Sequence, residues 1–272
     1  MKKVFVIAAV AMMLAACQKE EVSNKIISLN ASMEQMSGDS KTQLDGLNVV
    51  WVEGDEILVF DENKKSAKLK ATKGGSETTF TGEAEEGFGT IQYAFYPADK
   101  FIETSYNEAT IQYQLSNNRT YAVNNIASGE NPSYAKVGKG ATSAIFKNIC
   151  GIIKITVDVQ GNFFKGLNVK DSYVQMNGTL ELTLGDGTST FVTSGNFQPT
   201  YLWNEDVPDL EKGQTYSFYF VTPAATYQNF YCFPNKSDSS VGRLISNKSN
   251  TVETSKILQM PTIKWTGFVL EK

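Results

Sequence analysis

Three acidic side chains, Glu53, Asp55 and Glu56, fall within four positions and are the first place to look for acid–base chemistry. Paired carboxylates do such work when their environments push their pKa values apart. Here they surround Gly54 between two apolar runs, which is turn composition, so they read as a solvated turn. Glu83, Glu85 and Glu86 flank a glycine-containing stretch and read as an exposed face. Gly185-Asp186-Gly187 lacks the alternating oxygen ligands of a calcium loop. Neither Gly54 nor Gly74-Gly75 leads into the Gly-Lys-Ser/Thr of a phosphate-cradling loop. The chain contains no histidine, which removes Ser-His-Asp and Cys-His catalysis and most catalytic zinc sites. Cys150 and Cys232 cannot make a tetrahedral zinc site by themselves. They can pair in an oxidising compartment, or pack separately like small hydrophobes. The sequence leaves both open, because a bridge depends on a Cα separation it does not give. The expectation is a protein without catalytic residues, metal or cofactor, and so not an enzyme.

Two tryptophans could stack on sugars. Trp51 lies in an apolar run and is assigned to a core, where buried aromatics usually belong. Trp203, in Pro199-Thr200-Tyr201-Leu202-Trp203-Asn204, is the candidate for exposure and for ligand stacking.

The third cysteine has a different setting. Lys2 and Lys3 open the chain, an apolar run spans Val4 to Met13, and Leu14-Ala15-Ala16 precedes Cys17. A charged start, a short apolar middle and small exit residues describe a secretory signal peptide. The run falls short of the roughly 20 residues a spanning helix needs. Small residues before a cysteine resemble the lipobox of bacterial lipoproteins. That resemblance implies a signal peptide over 1–16 and a lipid on Cys17 as the first mature residue. Lys19, Glu20 and Glu21 resemble the signal that exports some lipoproteins to the outer face of the outer membrane, although the same run would serve as a solvated spacer. The implied location is the outer membrane, lipid-anchored and facing the exterior, with outer-membrane lipid as first partner.

Of the 25 Lys and Arg, Lys2 and Lys3 lie in residues 1–16; the remaining 23 face 29 acids, a mature net charge of −6 over 256 residues. That balance argues against nucleic acid, whose binding relies on basic patches. Forty-one per cent apolar residues suffice for real cores, and the length suits two modest domains.

The elements read as β throughout. Residues 17–28 are a tether. Asn48–Val52 and Ile57–Phe60 read as a hairpin around the acidic turn, apolar on consecutive positions and so covered on both faces. Gln92–Tyr96 is a strand ended by Pro97. Residues 103–142 are polar and predict one strand, Thr110–Leu115, among long exposed loops. Ile153–Gln160 alternates apolar and polar without a miss, the period of a strand with one wet face. Leu180–Leu184, Tyr216–Val221 and Phe230–Phe233 follow, and no stretch carries a capped helical stripe. Short strands with glycine and proline breaks mean a sandwich or small barrel. The expected units are 29–142 and 143–272.

In order along the chain stand Lys41-Thr42-Gln43-Leu44, Val50-Trp51-Val52-Glu53-Gly54-Asp55-Glu56-Ile57, Phe80-Thr81-Gly82 and Ala94-Phe95-Tyr96-Pro97. The second half carries Phe146–Ile155, Tyr219-Phe220-Val221-Thr222-Pro223, and Lys248–Val252 leading to Lys256–Pro261. This series resembles the fimbrillin-like family of Gram-negative gut and oral bacteria. The resemblance implies two tandem transthyretin-like β-sandwich domains. It also implies a role in adhesion or as an anchor, tip or shaft subunit of surface fimbriae, with other fimbrial subunits as partners. Related pilins assemble by strand exchange: a protease removes an N-terminal strand and a neighbour's terminal segment fills the groove, which is β-augmentation. This chain departs from the oral members, where the cut is arginine-specific. Its only arginines are Arg119 and Arg243, far past the first strands, leaving Lys25 or Lys41 for another protease. If neither is cut, the lipidated strand stays, as suits an anchor-like or non-polymerising member.

After Pro261 come Ile263, Trp265, Phe268 and Leu270, a candidate donor strand for a neighbour. The same residues read equally as the last strand of the protein's own sandwich, which the pairing habits of consecutive strands favour. The alternative to an assembly role is a stand-alone surface lipoprotein that binds a glycan or a host or bacterial surface ligand.

Overall fold

The computed structural model describes residues 24–38, 50–161, 166–195, 197–203, 206, 210–234, 244–246 and 248–266. Among them every long element is a strand, and the helical content is two short 3-10 turns, Ala98–Lys100 and Glu103–Ser105. The all-β expectation holds. The first half runs β1 (Lys25–Met33), β2 (Ser37–Gly38), β3 (Glu56–Asp61), β4 (Ser66–Ala71), β5 (Glu77–Ala84) and β6 (Ile91–Tyr96). It continues with β7 (Phe101–Ile102), β8 (Thr110–Leu115), β9 (Asn118–Ala122), β10 (Asn125–Ile126), β11 (Ser133–Lys136) and β12 (Ser143–Asn148). The second half opens with β13 (Gly151–Val159), β14 (Gly166–Asp171), β15 (Gly178–Thr183), β16 (Ser189–Phe191), β17 (Thr200–Trp203) and β18 (Thr215–Thr222). It ends with β19 (Ala225–Tyr227), β20 (Phe230–Pro234), β21 (Leu244–Ser246), β22 (Asn250–Val252), β23 (Lys256–Gln259) and β24 (Ile263–Trp265).

Seven of these close a barrel in the order β1-β12-β11-β6-β3-β4-β5. The strand pattern allowed a sandwich or a small barrel, and the first half forms a closed barrel where the resemblance implied a sandwich. The reason is β1, which pairs antiparallel with β5 on one side and parallel with β12 on the other, leaving neither edge free. The consecutive apolar run of β3 is buried on both faces, as its composition implied. Ile57 and Val59 enter the barrel core, while Leu58 and Phe60 face a second core outside it.

The expected hairpin from Asn48 does not form with β3, whose two neighbours are β4 and β6. Trp51 instead makes an isolated bridge to Gly75 and sends its side chain into the barrel. Val50 and Val52 on either side are exposed. The indole meets Phe80, Tyr96 and Phe146 edge-on, with centroids 4.9, 5.0 and 5.2 Å away.

The polar region 103–142 holds four strands, β8 to β11, rather than one strand among loops. Tyr113 and Tyr121 are fully buried there. Polar residues on the solvent side of β9 mask its alternation, and one inward residue is an arginine. The strand expected to open the second unit, β12, completes the barrel and gives it Phe146. After β12 the chain enters β13 at Gly151, and the inward face of β13 belongs to another core.

In the second half a five-stranded sheet, β18-β13-β23-β2 with β24 also on β13, shares one core with a six-stranded sheet, β10-β9-β17-β14-β20-β21. Ile153, Ile155, Val157 and Val159 supply the regular inward face of β13. Strands β2, β9 and β10 come from the first half, so the two halves interlock. Between barrel and sandwich lies a third cluster that joins Phe60 and Phe95 to Tyr113, Leu180, Leu182, Cys150 and Val221.

Candidate functional site

The acidic cluster has structural work. Asp55 accepts from the Val52 N–H at 2.8 Å and from the Ser128 hydroxyl at 2.7 Å, and Glu56 pairs with Lys70 at 3.1 Å. Asp186 accepts from the Thr188 N–H and hydroxyl at 2.9 and 2.7 Å, and these bonds hold its carboxyl below the usual range. Among the described residues no group of three His, Cys, Asp or Glu side chains could hold a metal ion. Cys150 and Cys232 are separate, free and buried in different clusters. Burial pushes the Cys150 thiol up to about 11 and raises Cys232 as well. Both are inert packing groups rather than nucleophiles.

What the fold offers instead is strand geometry. β1 holds eight residues in register with β5, Lys25 opposite Ala84 through Ser32 opposite Glu77. Four more pairings join it to β12, from Asn30 opposite Ser143 to Met33 opposite Phe146. Leu29, Ala31 and Met33 point into the core, and the residues between them face out, so alternate side chains fill the barrel. The Trp51 Nε1–H donates to the Ala31 carbonyl at 3.2 Å and pins the strand centrally. At its exit Glu34 accepts from the Ser255 hydroxyl at 2.8 Å, while the Asn148 amide donates to the Glu34 carbonyl at 3.2 Å. Removing β1 would open a groove between β5 and β12 floored by apolar positions.

Ile263 and Trp265 of the candidate donor segment lie on β24, parallel to β13, with Val157 opposite Ile263 and Val159 opposite Trp265. The Gln160 N–H donates to the Trp265 carbonyl at 2.7 Å. The described part of the tail therefore rests on the protein's own sheet, by three residue pairs against the eight that join β13 to β18. Phe268 and Leu270 lie outside the described residues, as do Cys17, Lys19, Glu20, Glu21, Lys41 and Arg243.

Arg119 figures in the sequence reasoning only as an arginine far past the first strands, with no structural role assigned to it. It is 5% exposed on β9, and its guanidinium donates to the Ser116 carbonyl at 2.9 Å, the Met176 carbonyl at 3.3 Å and the Val221 carbonyl. Burial pulls its pKa below the ordinary value, and the charge of Glu130 opposes that shift. Alternation in Asn118-Arg119-Thr120-Tyr121 was the available signal, hidden because arginine is normally read as outward. An arginine-specific protease cannot reach this site in the folded chain. Trp203 is 40% exposed, at the end of β17, as its setting suggested.

A closed barrel interlocked with a two-sheet sandwich defines an all-β fold. This fold is similar to that of a solved candidate cell adhesion protein from Bacteroides ovatus, at 11% identity over 89% of this chain and 92% of that one, with a TM-score of 0.52. Looser likenesses are a candidate cell adhesion protein from Bacteroides uniformis (14% identity, 89% and 94% covered, TM-score 0.49) and a fimbrial protein from Bacteroides vulgatus (11%, 88% and 96%, TM-score 0.35). At these identities the likeness is one of fold. No family model matches the sequence, and no curated protein matches it.

Proposed function

We propose that this chain is a fimbrillin-like cell-surface protein, acting in adhesion or as a fimbrial subunit rather than as an enzyme. In this reading lipid on Cys17 holds it to the outer membrane, with Lys19, Glu20 and Glu21 directing it outward. Two transthyretin-like units follow, joined at 149–151. Subunits contact one another by β-strand complementation, with β1 as the strand that can be vacated and the tail from Ile263 to Leu270 as donor. The observation that carries the reading is the position of β1, the first described strand, which pairs with both β5 and β12 in the closed ring and sends Leu29, Ala31 and Met33 into its core. Among the described residues β24 pairs with β13 at three positions, a short edge pairing that is compatible with the donor role.

The test introduces the missing cut. Lys41→Arg in an Arg243→Lys background gives an arginine-specific protease a new site downstream of β1, with the buried Arg119 as the other arginine. The protein without Lys41→Arg stays monomeric after protease, and the variant forms a ladder of oligomers on a native gel. A cut variant that loses β1, stays folded and stays monomeric overturns the reading.

A further inference from the structure

On β9 and β17 the sheet sets two polar and two aromatic side chains side by side. Their parallel pairing puts Tyr201 opposite Asn118 and Trp203 opposite Thr120. Paired residues share a face, so these four form a two-by-two array. The residues between them, Arg119 and Leu202, are 5% and 4% exposed on the other face. The array lines a cleft of about 660 Å³, within the range of small-ligand sites. Gly166, across β17, completes it by absence: a Cβ there would lie 3.0 Å from Trp203 Cδ1 and 2.6 Å from the Leu202 carbonyl oxygen. The bare backbone lets the indole seat against the sheet with two-fifths of its surface left to solvent.

We propose that this cleft binds a neutral hexopyranose ring of a polysaccharide, stacked on Trp203 and Tyr201 and hydrogen-bonded by Asn118 and Thr120. A pyranose has an apolar C–H face and a rim of hydroxyls, and the array matches both, with flat aromatic surface beside an amide and a hydroxyl. Charge selects the class. Among the described lining residues none carries a carboxylate or ammonium, and the Arg119 guanidinium is committed to three carbonyls on the inner face. These described residues offer no free charge to a phosphate or an acidic sugar. An apolar peptide would leave the amide and hydroxyl facing methyl groups, whereas a sugar engages them. The inference rests on the surface-adhesin reading only for where the ligand is met; the cleft is far in sequence from β1, and the two are tested separately.

The experiment is affinity electrophoresis of the native protein in gels cast with yeast mannan, arabinogalactan or dextran. At least one polysaccharide retards the protein. Trp203→Ala weakens that retardation at least about tenfold and Asn118→Ala about threefold or more, with unchanged melting temperature. If Trp203→Ala does not fold, Thr120→Arg, on an exposed position, blocks the cleft and abolishes retardation. No retardation by any of the three, or retardation that survives both Trp203→Ala and Thr120→Arg, overturns the proposal. So does self-association lost with Trp203 in place of sugar binding. The Lys41→Arg ladder is unaffected by any of these variants, so failure here leaves the strand-exchange reading standing, and the reverse.

Discussion

Replacing Arg119 with methionine removes one charged head while keeping a stem of similar length. The head bonds three carbonyls from three segments: Ser116 before β9, Met176 before β15, and Val221 on β18. Hydrogen bonds to a charged donor contribute about 1.5–3 kcal/mol each, and a buried carbonyl left without a partner costs about 1–3 kcal/mol. Against this stands the desolvation of the guanidinium, several kcal/mol, which methionine no longer suffers. Glu130 is a further term. It stays paired with Lys100 at 3.0 Å and with the Thr120 N–H at 3.2 Å, but loses the nearby positive charge. The balance is a loss of about 3 kcal/mol, the lower edge of what breaking a buried charge network costs. For a chain of this size each kcal/mol moves the midpoint by about 2–4 °C, so Arg119→Met should melt about 6–12 °C lower. Arg119→Lys, a point charge that cannot fork to three carbonyls, should fall between. Differential scanning calorimetry on the three proteins reads this directly. A methionine variant within 2 °C of the parent, on about the scale of 1 kcal/mol, would show that the guanidinium only fills space.

Burial lifts the Tyr106 and Tyr121 hydroxyls to about 12 and the Cys150 thiol to about 11. Their neutral forms are favoured in the fold, so the stability they contribute is complete below the ordinary values and is lost as pH rises through the raised ones. Urea midpoints should hold to about pH 9 and fall steadily from pH 10 to 12; a midpoint flat to pH 12 contradicts the burial. In a Cys17→Ser background a thiol reagent should label neither Cys150 nor Cys232 until denaturant is added, and rapid labelling in buffer would place a thiol at the surface. Trp51→Ala should cost about 3–5 kcal/mol by equilibrium urea unfolding, because the indole fills the barrel and holds the Ala31 carbonyl. Gly82→Ala should lose about 1–3 kcal/mol in the same assay, since its Cβ would lie 2.4 Å from the Lys68 carbonyl oxygen.

The sequence by itself determined the class of structure and most of the strands. Period-two alternation in Ile153–Val159 and the double-sided apolar run Ile57–Phe60 are local signals, and each became a strand buried as its pattern required. It also excluded histidine chemistry outright and marked Trp203 for exposure. What it left undetermined were matters of partner. Nothing local in Lys25–Met33 says that it pairs parallel with a strand more than a hundred residues away, yet that pairing turns an open sheet into a barrel. Nothing in Trp51 distinguishes a strand residue from a plug, because the difference lies in which strands already occupy the edges of β3. The polar stretch around Arg119 read as loop because its inward residue carries a charge, and only carbonyls brought from Met176 and Val221 make that charge acceptable in a core. Periodicity is written in neighbouring residues, whereas closure, charge compensation and the pairing that sets Trp203 beside Thr120 depend on contacts between distant ones, which exist only once the chain has folded.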